Sequence, residues 1–135
     1  MIPFVIRPVL LVTGGRDFCE ATTSTGQPRD REVYMAERVA LGFTLDMINP
    51  SSILVGDADG ADRWAVIWCD RRSIPYTRFA ADWTKHQKRA GPIRNQTMVD
   101  RRPDAGVSFP GGFGTADCVK RMNAAHIPVY ETAIK

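Results

Sequence analysis

Cysteine and histidine are scarce in this 135-residue chain, which holds three of the first (Cys19, Cys69, Cys118) and two of the second (His86, His126). The cysteines are odd in number and show no C-x-x-C spacing, which argues against a zinc site and against a secreted disulfide framework. Free thiols in a reducing cytosol are the simplest reading, and the pattern calls for no metal and no cofactor. No stretch approaches the ~18 uninterrupted apolar residues of a membrane span. The opening MIPFVIRPVLLVTGG is apolar, but Pro3, Arg7 and Pro8 break it, and it has no basic leader or small-residue cleavage site. A buried strand accounts for it better than a signal peptide. An excess of one charge is missing too. The net charge of +3, from 18 Lys+Arg against 15 Asp+Glu, is too mild to imply nucleic acid by itself. Aromatic residues make up 9% of the chain, and few are interleaved with basic ones as single-strand binders require. What is left is a cytoplasmic globular domain with no membrane partner.

Hydrophobic residues make up 44% and charged residues 24%, an ordinary globular composition in a length that suits one domain, 1–135. Apolar runs and helical patterns alternate along it. Strands are expected at 9–13, 52–55, 74–79, 105–109 and 127–130. Helices are expected from about Asp30 to Asn49-Pro50, from about Ala61 to Arg72, from Pro92 to about Arg101, and from Thr115 to Ala125. In the first helix Ala36, Val39, Ala40, Phe43 and Met47 recur at helical spacing and are read as its packing face. Residues 17–30, rich in Thr, Ser, Gly and Pro, read as a long mobile loop, and 80–90 as a polar loop. Alternation of this kind predicts an α/β fold with a mainly parallel five-stranded sheet between two helical layers.

Three strands end in glycine turns: Gly14-Gly15-Arg16, then Gly56-Asp57-Ala58-Asp59-Gly60-Ala61-Asp62, then Pro110-Gly111-Gly112-Phe113-Gly114-Thr115. In an open parallel sheet these lie at the carboxyl edge, where ligands bind. Each leads towards a helix start, where free N–H groups and the helix dipole favour an anion. Glycine permits close backbone approach, Thr115 adds a hydroxyl, and Arg16 adds a bidentate cation. None of the turns is a P-loop, and none is G-x-G-x-x-G with a following acid. Between Lys85 and Arg102 stand six basic residues and one acid, Asp100. That stretch reads either as a solvated basic face or as part of a phosphate pocket. Trp83 likewise either covers the core or stacks on a base beside Lys85. Arg94 and Asn95 start a helix facing the glycine turns, where Arg94 can pair with phosphate and Asn95 can read ribose or base edges. Asp57 and Asp59 suit turns, Asp62 suits a helix start, and Cys118 suits a buried thiol.

The segment from Pro110 to Thr115 resembles the PGGxGT signature of the SLOG superfamily, the Rossmann-like group that includes LOG phosphoribohydrolases and the DNA-processing protein DprA. Thr13 to Phe18, Gly56 to Asp62, Ala81-Asp82-Trp83, Ala90 to Asn95 with Met98, and Phe109 to Val119 follow in order and are similar to the YspA/cpYpsA-related SLOG proteins. The resemblance implies a Rossmann-like domain that binds a nucleotide or nucleotide derivative as sensor, carrier or sequestering protein. LOG enzymes cleave a nucleoside monophosphate at its N-glycosidic bond, using PGGxGTxxE and an upstream Arg. Arg94 matches that Arg, but the Glu position falls on Cys118, with Asp117 one residue earlier. A one-residue offset turns a side chain by roughly 100° on a helix. If the chain hydrolyses, Arg94 with Asp62 or Asp117 is the catalytic set. DprA-like single-strand binding would rest on the basic stretch alone. Two tryptophans in the helix over 61–72, together with the resemblance, suggest a homodimer or higher homo-oligomer.

Overall fold

In the computed structural model the described residues are 6–132. The expected opening strand segment at 1–5 lies outside them. Strands β1 (Val9–Thr13), β2 (Ser52–Gly56), β3 (Tyr76–Phe79), β4 (Ala105–Ser108) and β5 (Val129–Glu131) form one sheet in the order β3-β2-β1-β4-β5. Every pairing is parallel. The helices are α1 (Arg31–Ile48), α2 (Ala61–Arg72), α3 (Trp83–His86), α4 (Ala90–Asp100) and α5 (Phe113–Ala124). The result is a Rossmann-like three-layer sandwich. No helix among the described residues is long and apolar enough to cross a membrane.

The central strands point alternate side chains into two cores, because the strand period is two. Leu10, Val12, Ile53 and Val55 pack under α1 and α2, while Leu11 and Leu54 pack under α4 and α5 with Met98, Val99, Cys118 and Met122. Burial on both faces explains why β1 reads as an unbroken apolar run. Asp30 caps α1 by accepting from the Glu32 amide, and Asn49 ends it at φ 53°, just before Pro50.

Two expectations need correcting. Residues 80–90 are not a loop. Asp82 caps α3 by accepting from the Lys85 amide, and a 3-10 turn at Gln87–Arg89 leads into α4, which starts at Ala90. The apolar periodicity of α1 also marks the wrong face. Leu41 and Leu45 are the residues of α1 buried in the core, whereas Val39, Phe43 and Met47 are exposed. Residues 17–30 form a cross-braced segment. The Arg29 guanidinium donates to the carbonyls of Asp17 and Glu20 and to Glu37, Ser24 donates its amide to Asp17, and Thr22 bridges Pro28.

The chain runs β1-β2-β3 to one side, then returns to place β4 and β5 on the other side of β1. The reversal of strand order falls between β1 and β4, and it opens a crevice at their carboxyl ends.

Candidate functional site

A cavity of about 890 Å³ occupies that crevice, walled by Thr13 to Phe18, the start of α4 and the turn from Pro110 to Thr115. The two glycine turns on either side of the crevice are joined directly: the Gly15 amide donates to the Pro110 carbonyl at 2.9 Å. A Cβ on Gly15 would stand 2.8 Å from that carbonyl oxygen, and one on Gly14 would stand 2.5 Å from the Cβ of Ala61. These two glycines therefore bring three segments together at one point.

The turn into α5 is open. Gly112 is its N-cap and has no side-chain capping bond, and no acid stands in the helix's first turn. Ala116 is the first residue to bond back, donating to the Gly112 carbonyl at 3.0 Å. Among the described residues no group accepts from the amides of Phe113, Gly114 and Thr115. A Cβ on Gly112 or Gly114 would meet nothing within 4 Å. Thr115 is buried on the cavity wall beside Gly111.

The turn into α2 is filled. Gly60, at φ 76°, donates its amide to the Glu20 carboxylate at 2.8 Å, and Ala61 donates to the Gly15 carbonyl at 3.1 Å. Glu20 also accepts twice from Arg63. That pairing with Arg63 pulls the Glu20 pKa down to about 2, against the burial that opposes it. The protein's own carboxylate thus stands where an anionic ligand was expected. Gly56, Asp57, Gly60 and Ala61 do not line the cavity, whereas Ala58 and Asp62 do.

Arg94 lines the cavity but is engaged on several sides. Its guanidinium donates to Asp57 at 3.1 Å, to the Phe79 carbonyl at 3.2 Å and to Asn95 at 3.0 Å. Gly56 makes room for this, since a Cβ there would collide with the Arg94 guanidinium and with Asp62. Asp62 is buried, and burial pushes its pKa up to about 6 even though Arg94 and the Ala58 amide favour the charged form. Asn95 is 3% exposed, and both the nitrogen and the oxygen of its side-chain amide have protein partners. It accepts from Arg94 and donates to the Gly114 carbonyl and to Asp117. Asn95 therefore ties α4 to α5 instead of presenting a free edge to a base. Burial would raise the Asp117 pKa, but hydrogen bonds from Arg121 and Asn95 outweigh it and hold the carboxyl below its usual range. Cys118 is a buried thiol raised to about 11 by desolvation, not a nucleophile.

The rim carries the available polar and aromatic groups. Arg16 is exposed and lies over the Trp83 ring, 5.7 Å from its centroid. Trp83 is 47% exposed, so it is not a core residue, and Phe113 is 97% exposed. Lys85 does not line the cavity, but Lys88 does. Phe113 and Glu20 went unread in the sequence, and Lys88 was read only as one of the six basic residues between Lys85 and Arg102. Phe113 stood as the variable position of its motif, and Lys88 is one 3-10 turn beyond Lys85. Glu20 sits 40 residues from the amide it binds.

No protein family description matches the chain, and no solved structure does. Over 79 residues it is 39% identical to the Gene 61 protein of Mycobacterium phage D29, covering 55% of this chain. The matched stretch spans 62% of the phage protein's length.

Proposed function

We propose that this chain is a SLOG-type domain that binds a nucleotide or nucleotide-derived ligand in the cytoplasm, as a sensor, carrier or sequestering protein. The observation that carries the reading is the open first turn of α5 on the cavity wall. Its free amides and dipole would receive a phosphate, and Gly112 and Gly114 leave room for one to approach. Arg16 adds an exposed guanidinium, and the exposed faces of Trp83 and Phe113 offer stacking surface to a base. Arg94 contributes charge from behind, held in place by Asp57, Phe79 and Asn95.

One observation favours a second reading, a LOG-type nucleotide N-glycosidase. A buried carboxyl with a pKa of about 6 on a cavity wall, Asp62, is poised to give or take a proton near neutral pH. Asp117, anchored by Asn95 and Arg121, would serve as a fixed negative charge rather than an acid. The two readings separate on mass balance. Natively purified protein is incubated with a panel of nucleotides and dinucleotides, and bound and free fractions are weighed by mass spectrometry. Intact ligand retained at one per chain, weakened by about tenfold in Arg16→Ala and lost in Gly114→Glu, supports binding. Free base and ribose phosphate accumulating beyond one equivalent, and abolished in Asp62→Asn, establishes hydrolysis. No retention and no turnover across the panel would sink both.

A further inference from the structure

Helix α1 carries more apolar surface than the other described residues cover. Its buried seam is Leu41 and Leu45. On the opposite side Met35, Val39, Phe43 and Met47 follow one another every four residues, and the last three are 71%, 64% and 71% exposed. A helix that is apolar on both sides is normally covered on both. Glu37 and Asp46 are drawn off this stripe, and Arg38 touches it only at its N-terminal end, where the guanidinium donates to the Met35 sulfur at 3.6 Å. Glu37 binds Arg29, Arg38 donates to the Cys19 carbonyl and lies over Trp64, and Asp46 accepts from Trp68 and Arg72. Beside the stripe stands Gly42. A glycine in mid-helix weakens the helix relative to alanine, and a Cβ there would meet nothing within 4 Å. Among the described residues nothing requires glycine at this position. A helix crossing closely over it would.

We infer that α1 is the two-fold interface of a homodimer, packed antiparallel on α1 of a second copy with the crossing between Val39 and Phe43, next to Gly42. The stripe is self-complementary in that arrangement. A two-fold axis midway between Val39 and Phe43 sets the small residue of each copy against the large one of the other, and Met35 against Met47. The helix dipoles then run in opposition, which is the favourable sense. The exposed apolar area on one copy is on the order of 400 Å². Counted on both copies it comes to about 800 Å², below the ~1,200 Å² of standard-size interfaces and in the range of weak, transient ones. That size fits a reversible dimer of micromolar affinity. Helix α2, where two tryptophans suggested an interface, offers no such face. Trp68 is buried and bonded to Asp46, and Trp64 lies between Arg38 and Arg63.

Sedimentation of the whole protein from about 1 to about 200 µM tests this. The weight-average mass should rise from one chain to two across that range. Val39→Glu combined with Phe43→Glu should leave the near-ultraviolet circular dichroism unchanged, since both sites are exposed, and weaken association by about a hundredfold. Gly42→Leu should weaken it by about tenfold while the unfolding midpoint holds or rises, because leucine is the better helix former. A single-chain mass at every concentration would overturn the inference and give this face to a different partner. A dimer of undiminished affinity in the double variant would overturn it as well.

Discussion

Two helices, α2 and α5, begin in the same way. Each follows a parallel strand through a glycine turn at the same edge of the sheet. At α2 the amides of Gly60 and Ala61 are taken by Glu20 and by the Gly15 carbonyl, and Asp62 adds an acid in the first turn. At α5 the first turn has neither an acid nor a protein acceptor among the described residues. The glycines differ in kind as well. Gly60 needs a positive φ and has backbone pressed against it, while Gly112 and Gly114 face open space. A glycine turn marks a place where something approaches the backbone closely. At α2 that something is the protein itself, and at α5 the turn stays open, where the proposed ligand would sit.

The sharpest way to break this comparison is to put the same methyl group on both turns. Gly60→Ala should destabilise the fold by about 4 kcal/mol, combining a strained φ with a collision against Gly15 and Arg16. Gly112→Ala and Gly114→Ala should each stay within about 1 kcal/mol of the parent. Urea unfolding midpoints of the three variants decide it, and equal losses would erase the distinction drawn here.

Removing the built-in anion comes next. Glu20→Gln should cost about 2 kcal/mol at pH 7, a figure reduced because Arg63 is partly exposed. Glu20 titrates lower in the fold than in the open chain, so its contribution is complete above the ordinary value of 4.5. It should drain away as the pH falls towards about 2. Unfolding curves between pH 2 and pH 5 should therefore converge for parent and variant.

Asp62 runs the other way. Its folded pKa of about 6 lies above the ordinary 3.8, so its stabilising, protonated form is lost as the pH rises through 6. Asp62→Asn should raise stability by about 1–2 kcal/mol at pH 7.5 and bring little gain near pH 4. A gain independent of pH would place the carboxyl in a more hydrated setting than its burial indicates.

The smallest effect concerns the open turn alone. Arg16→Ala should leave the unfolding midpoint unchanged and lower affinity for a phosphate-bearing ligand by about tenfold, as read by isothermal titration. An equal loss for an uncharged nucleoside would move Arg16 from the phosphate to the ring.

The layout of the molecule was readable from residue patterns. A short apolar run such as Val9 to Thr13, stopped by Gly14-Gly15, fits a strand buried on both faces, and Asp30 and Asn49-Pro50 mark helix ends through short-range bonds and sterics. The glycine turns at 14–16 and 110–115 were readable as one site for the same local reason. Three things were not. The period of α1 shows an apolar stripe but cannot say whether it faces the sheet, because Leu41 and Leu45 satisfy the same period on the other side. Asn95 looked free to read a ligand until α5 brought Gly114 and Asp117 to its amide. Glu20 lay in a stretch that read as a mobile loop, and its partners Gly60 and Arg63 are 40 and 43 residues away.

The sequence by itself determined the strand and helix alternation, the parallel sheet and the edge that carries the glycine turns, since these follow from residue patterns along the chain. Tertiary structure alone decided which glycine turn is already occupied, which carboxyl is buried and which side of α1 is left bare. Those outcomes depend on which distant groups reach a given helix end or face, and local periodicity carries no information about that.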